Sequence, residues 1–166
     1  MQIADATPGT LFAYDETSLA LDGEELLGIV VRFHGPEFVR RRKALPPLWK
    51  PLIESGEVST EDLSEIGQRT HLCSYLNCAI ASVVYYIHAL AVKESQRGKG
   101  IGTKLLNHAV ERGKAAGFRG LHLDVLSDNP AVEFYRSKGF ECIVQSVVPE
   151  PLANGVPMEM RMAMGF

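Results

Sequence analysis

Three features of the 166-residue chain predict an α/β fold. Between Val83 and Val125 the order is strand, helical pattern, strand, which predicts a parallel pair joined by a right-handed crossover. Near the start, Ser18–Leu21 and Leu26–Val31 flank Asp22-Gly23, a tight-turn dipeptide, and predict an antiparallel hairpin. At the end, Cys142–Val148 and Met158–Met164 read as two further strands, so the sheet is expected to be mixed and mostly antiparallel.

Each element has a local reason. The chain reads as strands up to about Phe33, then changes character from Pro36 to about Tyr75, where Pro46, Pro47 and Pro51 cut it into two or three short helices. Ser59-Thr60-Glu61-Asp62 can cap one of them, running through Leu63 and Ile66, since early carboxylates suit a helix N-terminus. Val83–Val92 is rich in β-branched and aromatic residues and predicts a buried strand. Ile101, Leu105, Ala109 and Val110 then recur at helical spacing, with Gly117 placed as a C-terminal cap. Leu121–Val125 is the next strand. Asn129-Pro130 opens a short helix that Gly139 ends. Met158, Met160, Met162 and Met164 alternate at period two, as one buried strand face would.

Composition narrows the function classes. A 46% hydrophobic chain of this length can bury a core without staples. The net charge of −3 gives no field for holding nucleic acid, so no nucleic-acid partner is expected. Cys73, Cys78 and Cys142 lack paired spacing and do not suggest a disulfide framework or a zinc site, and His34 and His71 have no metal-spacing partner. The first residues lack a basic start and an apolar run, and Cys78–Val92 is too short for a span, so no membrane and a cytoplasmic location are expected.

The chemistry concentrates in Leu90-Ala91-Val92-Lys93-Glu94-Ser95-Gln96-Arg97-Gly98-Lys99-Gly100-Ile101-Gly102-Thr103. A strand enters a glycine-rich turn and the turn enters a helix. Glycines admit positive φ and close approach of backbone to a ligand, and the free N–H groups of a first helical turn form an anion site suited to a pyrophosphate. The nucleoside-triphosphate loop pattern fails, because Gly102 is followed by Thr103 and only then Lys104. The dinucleotide pattern fails as well, because the glycines alternate at 98, 100 and 102.

The segment does match Arg/Gln-x-x-Gly-x-Gly/Ala through Arg97, Gly100 and Gly102. It resembles the acetyl-CoA pyrophosphate loop of the GNAT superfamily of N-acetyltransferases. Downstream, Asn129, Ala131, Tyr135 and Gly139-Phe140 resemble that family's second conserved segment, and the likeness covers about Ile87 to Phe140. The resemblance implies a sheet splayed at its parallel pair to admit acetyl-CoA as co-substrate. It implies one acetyltransferase-like domain over 1–166, with a helical insertion at about 36–75 and the cofactor-binding core at about 83–140. The family usually begins with a strand and two helices. Only about 17 residues precede the hairpin, so that module is expected to be absent or replaced by the insertion.

Carried over residue by residue, the resemblance implies that Leu90, Ala91 and Val92 pair with the pantetheine amides as an added strand would. Arg97, Gly98, Lys99, Gly100, Ile101, Gly102 and Thr103 would hold the pyrophosphate. Asn129 would contact the cofactor, and Tyr135 would contact it and protonate the leaving thiolate. An alkyl amine near pH 7 must lose a proton before it attacks. His88, two residues before Leu90 and so expected on the same strand face, matches a histidine of the serotonin-type arylalkylamine acetyltransferases. Asp124 matches a glutamate of the ribosomal-protein alanine acetyltransferases, although a plain strand-end carboxylate is its simpler reading. Tyr86, Glu25 and a water chain are the remaining choices for the base.

Other conspicuous residues have simpler explanations. Arg40–Lys43 reads as a solvated helix face and Trp49 as a core or interface residue. The expected reaction is acetyl transfer to a primary amine, on a small molecule or on a peptide N-terminus or lysine. Homodimers are common in the family, so one is allowed for here. Two other readings stay open, a non-catalytic acyl-CoA sensor and an interaction subunit docking through Pro36–Tyr75.

Overall fold

A computed structural model describes residues 8–11, 14–73 and 80–166, excepting the side chains of 70–73. Tyr75 and Cys78 lie outside the described residues, as do the side chains of His71 and Cys73. The chain forms β1 (Thr17–Asp22), β2 (Glu25–His34), α1 (Gly35–Lys43), α2 (Trp49–Glu54), α3 (Thr60–Cys73) and β3 (Tyr85–Val92). It continues through α4 (Ile101–Ala115), β4 (Gly120–Leu126), α5 (Ala131–Ser137), β5 (Glu141–Ser146), α6 (Pro149–Ala153) and β6 (Glu159–Gly165). One six-stranded sheet has the order β1-β2-β3-β4-β6-β5. Only β3 and β4 run parallel among the described strands, so the expected mixed architecture is the observed one.

Local chemistry accounts for the element ends. The hairpin turn is Gly23-Glu24 and not the expected Asp22-Gly23, because Asp22 still pairs with Glu25; Gly23 takes φ +58°, which suits the first central position of a tight hairpin turn. At α3 the Asp62 N–H donates to Ser59 Oγ and the Ser59 N–H donates to Asp62 Oδ2, each at 3.0 Å, a reciprocal cap of the kind the sequence predicts. At the end of α4, Gly117 N–H donates to the Lys114 carbonyl at 2.9 Å and Phe118 N–H to the Gly113 carbonyl at 3.0 Å. The sequence reading missed α6.

Two cores lie on opposite faces of the sheet. On one, Val30, Tyr85, Ile87, Leu121, Leu123, Met160 and Met162 pack against Leu105, Leu106 and Ala109 of α4 and against α5. On the other, Val31, Phe33 and Tyr86 pack against Phe38 of α1. The alternating methionines form one buried face, with Met160 and Met162 in the core and Met164 packed against it, and Glu159 and Arg161 on the other face of β6 are buried as well. Met160 and Met162 face α4, and Arg161 pairs on the opposite side with Asp124.

The basic run of α1 is not uniformly solvated. Arg41 is buried, with bonds to Asp15 at 2.6 and 2.9 Å and to Glu37 at 2.8 Å, while exposed Arg40 also pairs with Glu37. Those guanidiniums, Arg40 foremost, hold the Glu37 carboxyl down to about 2. Trp49 is half-buried. Among the described residues no helix is long and apolar enough to cross a membrane.

Candidate active site

The parallel pair is short. Tyr85, Tyr86 and Ile87 pair with Leu121, His122 and Leu123, and beyond these positions β3 and β4 separate. The gap opens into a cleft of about 970 Å³. On its other edge β3 stays paired with β2, through Leu90 with Val30, Ala91 with Ile29 and Val92 with Gly28. The edge of Ala89–Val92 that faces β4 therefore carries backbone N–H and C=O groups with no strand partner among the described residues. Such groups bind an extended amide-bearing chain as a strand would.

The cleft ends at the start of α4. Gly98 and Gly100 take φ +77° and +80°, a left-handed backbone that side-chain-bearing residues rarely adopt. A Cβ added at either would meet nothing within 4 Å, so the space above the loop is open. The first turn of α4 has no acidic residue, and its leading N–H groups lack helical acceptors. The loop and helix start thus form a positive cradle. Arg97, Gly98, Gly100, Ile101, Gly102 and Thr103 all line it. Lys99 does not; its ammonium donates instead to Gln96 Oε1 at 2.9 Å.

Tyr135 and Asn129 stand on the α5 side of the cleft. Tyr135 is 7% exposed, its ring 5.3 Å from that of Phe134 and 5.7 Å from that of Phe140. Burial raises its pKa, so the phenol keeps its proton. Its hydroxyl makes no hydrogen bond to another described residue. Asn129 Oδ1 accepts the Ala131 N–H at 2.9 Å, the predicted cap.

The face of β4 and β6 away from α4 holds a polar cluster. Arg161 grips Asp124 with two bonds, Nε to Oδ1 at 2.8 Å and a terminal nitrogen to Oδ2 at 2.7 Å. Tyr86 donates to Asp124 Oδ2 at 3.1 Å, and burial raises the Tyr86 pKa. Glu159 is 8% exposed and lines the cleft. Burial, and then the charge of Asp124, pushes its carboxyl up to about 8.

Two expectations about the base change here. Pairing jumps from Val31–Ala89 to Arg32–Ile87, so His88 is an extra residue in β3. A bulge of this kind reverses the alternation of faces. Leu90 and Val92 join the α4 core, while His88 packs 5.8 Å from Phe33 and 5.4 Å from Phe38 on the opposite face. Burial there lowers the His88 pKa and favours the neutral ring. Asp124 is not a plain strand-end carboxylate, because both of its oxygens are engaged. Glu25 is exposed and pairs with Lys93 at 3.1 Å. Glu159 and Arg161 escaped the sequence reading because the methionines around them define the opposite face. The one available signal was a pair of charged residues inside an apolar strand.

The acetyltransferase (GNAT) family model matches residues 55–140. An uncharacterised N-acetyltransferase of Methanocaldococcus jannaschii is 40% identical over 70 residues, which is 42% of this chain. The match spans only 31% of that archaeal protein's length. N-alpha-acetyltransferase 50 of Danio rerio is 31% identical over 121 residues, covering 65% of this chain and 71% of that one. An N-acetyltransferase structure from Staphylococcus aureus Mu50 superposes with a TM-score of 0.66 at 20% identity, covering 94% of this chain and 73% of that one.

Proposed function

Because the chain belongs to the GNAT acetyltransferase family, we propose that it transfers the acetyl group of acetyl-CoA to an amine by direct attack on the thioester. The observation that carries this reading is the wedge between β3 and β4. It leads from an anion cradle at Gly98–Thr103, along an unpaired strand edge, to a protonated phenol at Tyr135.

Each part has a task in this reading. The α4 N-terminus, with Arg97, Gly98, Gly100, Ile101, Gly102 and Thr103, holds the pyrophosphate. The free edge of Leu90, Ala91 and Val92 pairs with the pantetheine amides, and Asn129 contacts the cofactor beside them. The thioester then lies where the strands part, with α5 on one side and the polar face of β4 and β6 on the other. The amine attacks the carbonyl carbon, the C–N bond forms, and the C–S bond breaks with its electron pair on sulfur. Tyr135 protonates that sulfur. Lys99, between Gly98 and Gly100, offers its backbone N–H to the pyrophosphate while its ammonium bonds Gln96. Cys142 is exposed and its thiol donates to the Val144 carbonyl at 3.5 Å, which favours direct transfer over a covalent enzyme intermediate.

The acceptor is an amine of a small molecule or of a peptide. The Danio rerio relative is named an N-alpha-acetyltransferase, so α-amines come first in the panel to be tried. The test is release of free CoA thiol on mixing the chain with acetyl-CoA and each amine, with the acetylated product identified by mass spectrometry. Amine-dependent release above the uncatalysed rate is expected. Tight acetyl-CoA binding with no release for any amine in a broad panel would overturn the transfer reading in favour of a sensor.

A further inference from the structure

The wall of the cleft carries two carboxyl groups among the described residues, Asp124 and Glu159. They differ in what holds them. Asp124 accepts two bonds from Arg161 and one from Tyr86, so both of its oxygens are engaged. Glu159 is 92% buried by its 8% exposure, yet makes no hydrogen bond or ion pair to any described residue. A buried carboxyl without a partner is costly in a folded protein. Its oxygens are not among the fully buried unpartnered atoms of the described residues, so from the cleft wall they are open to a ligand group.

We propose that Glu159 is the catalytic base, taking a proton directly from the ammonium of the acceptor amine. This rests on the acetyl-transfer reading above. The register places it well: Glu159 pairs with Leu126 at the open end of the wedge, two residues from the Asp124–Arg161 pair, on the face that α4 and α5 leave free. An ammonium that enters from that face meets one carboxyl group without a bonded partner, because Asp124 is already held by Arg161. The amine gives its first proton to Glu159 and attacks as a neutral nucleophile. Once the C–N bond forms, the nitrogen loses its second proton through water. The departing sulfur takes one from Tyr135, and the tyrosinate recovers the one from nitrogen. The sum is one amide, one CoA thiol and one proton that Glu159 returns to solvent.

The groups facing Glu159 set its titration. β4 contributes Asp124, β6 contributes Arg161 and β3 contributes Tyr86, while His122 neighbours the Asp124–Arg161 pair, His88 lines the same cleft, and β5 places Ser146 opposite Glu159 and Val144 opposite Arg161. With the carboxyl pushed up to about 8, the carboxylate form that accepts a proton grows in as pH rises. The wild-type kcat/KM is therefore expected to rise through about pH 8 and then level, beyond the dependence that the amine's own ionisation imposes.

Glu159→Gln keeps shape and removes the proton acceptor. It is expected to lower kcat/KM by about 10²-fold or more and to abolish the inflection near pH 8, while acetyl-CoA binding stays as in wild type. Glu159→Asp keeps the carboxyl and is expected to retain the inflection at a reduced rate, which separates a chemical from a merely structural role. Activity of Glu159→Gln within about threefold of wild type, or an unchanged pH profile in it, would overturn the assignment while leaving acetyl transfer standing. Should Glu159→Gln fail to fold, a Glu159→Asp profile without the inflection would overturn it equally. A wild-type chain that neither binds acetyl-CoA nor turns over removes both readings together.

Discussion

Tyr135→Phe is expected to lower kcat by about 10²–10⁴-fold and to leave acetyl-CoA affinity close to that of wild type. The substitution deletes one oxygen and keeps the ring. That ring is anchored between Phe134 and Phe140, so the α5 wall and the pantetheine channel should survive. What goes is the proton donor. Burial raises the phenol's pKa, which keeps it protonated until sulfur becomes basic in the transition state. An interaction made only at that stage affects kcat and not ground-state binding. Steady-state kinetics beside an acetyl-CoA binding isotherm checks this. A rate within about threefold of wild type would remove Tyr135 from the chemistry, and a matched loss of binding would make it a wall residue.

Arg161→Met is expected to destabilise the fold by about 3–5 kcal/mol, because it strands the Asp124 carboxylate in the interior. Arg161 and Asp124 side chains are 6% and 4% exposed, and the pair is bidentate. Desolvation of both ions has already been offset by their mutual bonds, so removing one partner exposes the full cost of the other. The pair also ties the central strand β4 to β6, where Asp124 is in register with Arg161. Adding Asp124→Leu to Arg161→Met should recover much of the loss, since replacing a buried ion pair by apolar groups is often near neutral. Urea unfolding of the single and double variants provides the numbers. A single-variant cost below about 1 kcal/mol would mean the carboxylate finds water or another donor.

What could be read from the sequence was what is local or periodic. The hairpin at Gly23, the Ser59 cap, the α4 helix and the glycine loop each rest on neighbouring residues, and each stands where the residues place it. The parallel pair followed from one connection rule. Asp124 and Tyr86 stood out in the sequence, but their grouping with Glu159 and Arg161 did not follow, and the reason is register. Asp124, Glu159, Arg161 and Tyr86 come from three strands, and only β4–β6 pairing brings 124 opposite 161. His88 shows the same limit on a smaller scale. Its face was inferred from simple alternation, and one bulged residue in β3 reversed it.

The central claim is that the wedge ending at Gly100 is an acetyl-CoA site. The most direct measurement is a thermal-shift titration of the wild-type chain and of Gly100→Val with acetyl-CoA, using acetate and ADP as controls. A ligand that binds only the folded state at about 100 times its Kd adds about 2.7 kcal/mol of stability. Wild type should show that shift. Gly100→Val should lose it relative to its own ligand-free transition, because a β-branched residue at φ +80° is strained and would fill the open space over the cradle. No shift in folded wild type, or an equal shift in both proteins, would contradict the account.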